Sequence, residues 1–188
     1  MLRTLILQTL KKVNKKVLLK GWVNNLRLHS RVVFIDLRDR TGLIQIVCFE
    51  KNLKTAKKLN IQDAVSITGQ VKSRDEKMVN PRLATGKIEL LAKTIEILAK
   101  ADELPFDLAG PELKVELPTL LDYRSLTLRH PKISAIFKVQ EEILKTFRQT
   151  LTQNGFTEIS VPTLVATATE GGSEVFPIDY FDDKAYLA

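Results

Sequence analysis

The chain has 188 residues, 44% of them apolar, enough to bury a real core and to hold one small domain plus part of a second. Lys and Arg number 29 against 22 Asp and Glu, and the net charge of +7 favours an anionic partner such as nucleic acid, although a merely soluble basic protein would carry the same charge. A single cysteine excludes an internal disulfide and a cysteine-built zinc site, and no apolar run nears the roughly 20 residues of a bilayer-spanning helix.

The first residues run from Met1 through Leu7 into Lys11, Lys12, Lys15 and Lys16, without the apolar core and small-residue cleavage site of a secretory signal, so a cytoplasmic location and no membrane partner are expected. Alternating apolar residues then predict strands over 17–26, 32–38 and 43–49, the last two joined by the turn chemistry of Asp39-Arg40-Thr41-Gly42. Cys48 in the third is expected to be a buried, inert thiol. Leu53, Ala56 and Leu59 recur at helical spacing, and strands resume over 64–72 and 87–98 around a long loop, 73–86. Five strands with a helix between the third and fourth fit an OB-fold barrel, which commonly binds oligonucleotides on the face of its second and third strands.

Pro105, Gly110, Pro111 and Pro118 break the periodicity that follows, so residues 101–117 are expected to link a first domain, 1–100, to a second, 118–188. In the second, Ile133, Ile136, Phe137, Gln140, Ile143, Leu144, Phe147 and Leu151 lie three or four apart, predicting an amphipathic helix of about six turns from Pro131 to Asn154-Gly155. Most of that stripe is expected to pack in a core.

The period of two sets Val33, Ile35 and Leu37 on one face of the second strand and Phe34, Asp36 and Arg38 on the other. An aromatic ring among charges on a wet barrel face can stack an unpaired base, or it can pack beneath a loop. Gln45, between inward-pointing Ile44 and Ile46, turns out with both amide donors and acceptors. Glu89, between Ile88 and Leu90, turns out with acceptors, and Arg27 supplies a guanidinium for phosphate or base.

Gly21-Trp22-Val23-Asn24, the run from Phe34-Ile35-Asp36 to Ile44-Gln45, Arg74-Asp75-Glu76-Lys77 and Ala84-Thr85-Gly86-Lys87-Ile88-Glu89 resemble the anticodon-binding OB domain of the aspartyl-tRNA synthetases. Tyr123-Arg124-Ser125-Leu126-Thr127-Leu128-Arg129 resembles the approach to that family's catalytic domain. Residues 155–162 resemble the first class II motif, a helix and strand at the dimer interface ending in proline, here Pro162. The fold this implies is an OB barrel followed by the start of an α+β class II catalytic domain with an antiparallel sheet.

The resemblance implies that Phe34 stacks on an anticodon base while Gln45, Glu89 and Arg27 hydrogen-bond the central uridine. Within Thr169-Glu170-Gly171-Gly172-Ser173, Glu170 would help bind the ammonium group of the L-aspartate substrate. The implied activity is aspartate–tRNA ligation: ATP, with Mg2+, activates aspartate to aspartyl-adenylate, and the aspartyl group passes to tRNA(Asp). The family's ATP-binding arginines belong to motifs past Ala188, so no catalytic or metal-binding residue is expected within residues 1–188. The chain alone is expected to bind tRNA without catalysis, and the complete enzyme to be a homodimer.

The loop from Arg74 to Glu89 resembles the bacterial branch, whereas Glu170-Gly171-Gly172-Ser173-Glu174-Val175-Phe176 is closer to archaeal aspartyl or to asparaginyl enzymes. That mixture leaves open an enzyme that also charges tRNA(Asn), and an asparagine–tRNA ligase. A freestanding, non-catalytic OB-fold tRNA-binding protein is the other alternative, against which the long helix and first motif argue.

Overall fold

In a computed structural model, which describes residues 1–110, 112–166 and 176–187, the strands β1 (Lys16–Leu28), β2 (Val33–Asp39), β3 (Gly42–Cys48), β4 (Ala64–Ser73) and β5 (Ile88–Ala99) form a closed barrel in the order β1-β2-β3-β5-β4. Every neighbouring pair is antiparallel except β3 with β5. The predicted strand positions hold to within two residues at each end. The reason is visible on β2, where Val33, Ile35 and Leu37 are fully buried and Phe34, Asp36 and Arg38 are half-buried. Leu19, Val23, Ile44, Ile46, Ile67 and Leu90 fill the interior with them, each side chain contributing about 1.5–3 kcal/mol by leaving water.

Gly21 is where β1 crosses closest to β2: a Cβ there would lie 2.3 Å from the Arg38 carbonyl oxygen. Only a residue without a side chain permits that approach. The turn between β2 and β3 is clamped by Asp39, whose Oδ1 accepts from the Thr41 amide and hydroxyl at 2.7 and 2.6 Å. Its other oxygen accepts from the Ile6 amide at 2.9 Å. This last bond belongs to an element the sequence pattern did not signal, a 3-10 helix at Ile6–Lys11 that inserts the fully buried Ile6 into the core.

The helix predicted from Leu53, Ala56 and Leu59 is shorter than expected: a 3-10 turn at Glu50–Asn52 runs into a single turn, α1 (Leu53–Ala56), and Leu59 is buried from the loop beyond it. After β5 the chain is tied back to the barrel by Asp63, which accepts from Lys100 Nζ at 2.8 Å and the Ala101 amide at 2.9 Å. Pro118 does not interrupt periodicity as the sequence reading supposed. It occupies the first turn of α2 (Leu117–Asp122), where its missing N–H costs nothing, and α3 (Arg124–Thr127) follows.

The chain divides into two compact units, Met1–Ile133 and Ser134–Ala188. α4 (Pro131–Gln153) starts at the predicted proline and is ended by Gly155, whose φ of +84° suits a residue without Cβ. Its apolar stripe departs from expectation: Ile136, Phe137, Ile143, Leu144 and Phe147 are all exposed, and Ala185 is the one buried apolar residue of the second unit among those described. No described helix is long and apolar enough to cross a membrane.

β6 (Leu164–Val165), β7 (Phe176–Tyr180) and β8 (Asp183–Leu187) make a small antiparallel sheet in the order β6-β8-β7. The strand implied for the first motif is not formed; residues 156–163 belong to no regular element, and Pro162 is exposed. An isolated extended segment leaves its amides and carbonyls to water, and strand geometry sets in only at Leu164, where β8 supplies a partner.

Candidate nucleic-acid interface

The outward residues singled out in the sequence come together on one side of the barrel. Arg27 on β1 stands opposite Phe34 on β2 in the strand register, and Asp36 on β2 stands opposite Gln45 on β3. Glu89 lies near the start of β5, which pairs with β3 through Ile46 and Leu90. Arg27, Phe34, Gln45 and Glu89 therefore line a single groove of about 540 Å³, within the ~300–1,000 Å³ typical of sites for small ligands.

A continuous relay of hydrogen bonds fixes the polar groups. Arg27 grips Asp36 with both terminal guanidinium nitrogens, Nη1 at 2.8 Å and Nη2 at 3.0 Å, and Nη2 also donates to Gln45 Oε1 at 3.0 Å. Gln45 Nε2 donates to Glu89 Oε2 at 3.0 Å, and Arg74 Nε stands 3.5 Å from the same oxygen. Cation, amide, carboxylate and cation alternate, so the amide orientation of Gln45 is dictated from both ends. The Arg27–Asp36 pair adds little to stability, because the Arg27 side chain is 42% exposed and such pairs contribute about 0–1 kcal/mol. Its effect is orientation. Each relay member keeps unused capacity, a second lone pair on Gln45 Oε1 and a second hydrogen on Nε2, with which a ligand edge can bond without disturbing the frame.

Phe34 is half-buried at the rim of this relay. The Arg27 guanidinium carbon lies 5.9 Å from its ring centroid, and His29 meets the ring edge-on at 5.8 Å and 85°. A flat π surface held from the side beside a row of amide and carboxylate acceptors is an arrangement that accepts a planar heterocycle by stacking and reads its edge by hydrogen bonds.

Sequence reasoning missed His29 and Arg74 as members of the groove. Arg74 is the more instructive: its side chain is 5% exposed, Nε also donates to the Ile88 carbonyl at 3.1 Å, and Nη2 is buried without a partner. The signal was the antiparallel register of β4 with β5, which sets Ser73 against Ile88 and Arg74 against Lys87, so that Arg74 lies diagonally from Glu89 on the same face. Glu170, with the rest of 167–175, lies outside the described residues. No group of three or more His, Cys, Asp or Glu among the described residues is placed to hold a metal ion.

Residues 17–98 match the family model for OB-fold nucleic acid binding domains, and residues 116–188 match that for class II tRNA synthetases of the D, K and N type. The aspartate–tRNA(Asp/Asn) ligase of Methanococcus vannielii is 43% identical over 179 residues, covering 92% of this chain and 39% of that protein. Its counterpart from Archaeoglobus fulgidus is 40% identical over the same share of this chain. Among solved structures, asparaginyl-tRNA synthetase from Pyrococcus horikoshii complexed with asparaginyl-adenylate superposes with a TM-score of 0.83 at 33% identity, over 100% of this chain and 43% of that one. The chain thus spans about two-fifths of the length of the curated relatives it matches.

Proposed function

We propose, from the premise that the chain belongs to the class II aminoacyl-tRNA synthetases of the aspartyl, lysyl and asparaginyl group, that it supplies the tRNA-reading part of an aspartate–tRNA ligase. In this reading the groove of the first unit recognises the anticodon of tRNA(Asp). Phe34 stacks on one base, while Gln45, held between Arg27 and Glu89, presents a donor and an acceptor to the edge of the central uridine. The observation that carries the reading is the Arg27–Gln45–Glu89 relay beside the Phe34 ring.

The anticodons for aspartate and asparagine share their first two bases and differ at the third, so readout of the central uridine by itself serves both. Support for a partnership with tRNA(Asn) as well comes from relatives named as aspartate–tRNA(Asp/Asn) ligases. We assign Glu170 to the aspartate ammonium group on the family resemblance alone. The exposed stripe of α4 is what a second copy of the chain would cover in a homodimer.

Class II synthetases use ATP and Mg2+ to activate the amino acid. Among the described residues no group of three or more His, Cys, Asp or Glu is placed to hold a metal ion. No catalytic step is assigned to them. RNA binding is therefore the property to test, with an aspartate anticodon stem-loop and an anticodon-scrambled stem-loop compared at matched salt. Tighter binding of the matched RNA supports base readout; equal affinity for both would reduce the interaction to phosphate attraction and sink the assignment.

A further inference from the structure

The outer row of β2 that begins at Phe34 passes Asp36 and ends at Arg38, four residues or roughly 13 Å along the strand. Arg38 stands opposite Trp22 on β1. Its guanidinium carbon lies 5.4 Å from the Trp22 ring centroid, and that of Arg129, from the chain just after α3, lies 5.6 Å from the same ring. Both arginines donate to one acceptor: Arg38 Nη2 and Arg129 Nη1 each lie 3.1 Å from Gln62 Oε1.

Among the described residues no carboxylate neutralises this cluster, and neither arginine is in an ion pair with one. Asp63, next in sequence to Gln62, is buried and already committed to Lys100 and to the amides of Asn60 and Ala101. An indole face and one amide oxygen do not offset two positive charges held this close, and burial together with the charge of Arg129 makes Arg38 easier to deprotonate than a free arginine. Each guanidinium carries five N–H donors, and one of each is engaged by Gln62. Trp22 is 36% exposed, and both arginines are partly buried rather than enclosed. Two planar forks with spare donors, converging at a partly exposed and uncompensated site, match the oxygens of a phosphate.

We propose that Arg38 and Arg129, braced by Trp22 and Gln62, bind a backbone phosphodiester of the RNA whose base stacks on Phe34. The inference rests on the RNA-binding reading above and deepens it. The position along β2 favours RNA over an isolated carboxylate: roughly 13 Å of strand separates Phe34 from Arg38, about four nucleotides of stacked strand, or fewer if the strand is extended. The phosphate contact sets the register of the strand, and the groove at Phe34 reads its sequence.

The test uses the full 188-residue chain with the matched and scrambled stem-loops, titrated between about 50 and 200 mM salt. Arg129→Gln is expected to weaken both RNAs alike, by roughly three- to tenfold, and to reduce the slope of log affinity against log salt by about 0.7–0.9. Arg129→Lys is expected to restore the slope. Phe34→Ala should weaken the matched RNA at least as much as the scrambled one and leave the slope alone.

A folded Arg129→Gln protein with unchanged affinity and slope would overturn the phosphate site while leaving base readout standing. Loss of the matched-RNA preference in the unaltered chain, with the slope still reduced by Arg129→Gln, would overturn the base reading and leave the phosphate site. If Arg129→Gln fails to fold, single neutral methylphosphonate linkages are placed in the RNA and the unaltered protein is used. Weakened binding at one linkage two to four nucleotides from the stacked base supports the site, and no effect at any linkage overturns it.

Discussion

Gln45 donates its amide to Glu89 Oε2 at 3.0 Å across β3 and β5, the parallel pair that closes the barrel. They stand 44 positions apart in the chain, and the bond exists because barrel closure brings the third and fifth strands side by side. It joins the reading groups of the first three strands to the carboxylate of the fifth, and through it to Arg74.

Phe34→Ala is expected to weaken binding of the matched stem-loop by roughly 1–3 kcal/mol, the usual contribution of one base stacked on an aromatic ring. Stability should change little, since the ring is half-buried and packs outside the core. Fluorescence anisotropy and urea denaturation on the same samples separate the two effects.

Glu89→Ala is expected to destabilise the first unit by about 1–3 kcal/mol, because the Arg74 side chain, 5% exposed, is left without a countercharge. Arg74→Met in the same protein should recover much of the loss by removing the stranded cation. A double-mutant cycle by chemical denaturation measures this, and additive losses would show that the two side chains do not depend on each other.

Asp63 should contribute a pH-dependent share of stability. Burial alone raises its pKa, but the Asn60 amide, Lys100 and the Ala101 amide together outweigh burial and hold the carboxyl below its ordinary value. A depressed folded pKa means that the stabilisation is fully present above the unfolded pKa of about 3.9 and is lost as pH falls through the lower folded value. Asp63→Asn is therefore expected to flatten the stability profile below about pH 4, and to lower stability at neutral pH. Thermal unfolding from neutral to strongly acidic pH checks both, and identical profiles would refute the role.

Cys48 is fully buried, and burial pushes its thiol up to about 12. At neutral pH the folded protein should react with an alkylating reagent only through opening of the barrel, since the thiolate is the reactive form. Labelling is expected to rise with urea in step with loss of the β-sheet signal. Rapid labelling of the native protein would contradict the packing of β3.

The sequence by itself determined the five strands, the face each turns inward, and both ends of the long helix. Those features depend on neighbours within a few residues: the period of two that buries Val33, Ile35 and Leu37, the proline that opens α4, and the glycine past its end. The same alternation turned Phe34, Gln45 and Glu89 outward, which marked candidates without showing that they meet. Tertiary structure decided the rest. The relay from Asp36 to Arg74 and the convergence of Arg38 with Arg129 on Gln62 join residues far apart in the chain, so they depend on strand register and on where the chain returns after β5. The insertion of Ile6 needed a partner, Asp39, that no local pattern near Ile6 discloses. On α4, periodicity told which face is apolar but not what covers it, because hydrophobic burial is non-directional and any apolar surface of suitable shape will serve.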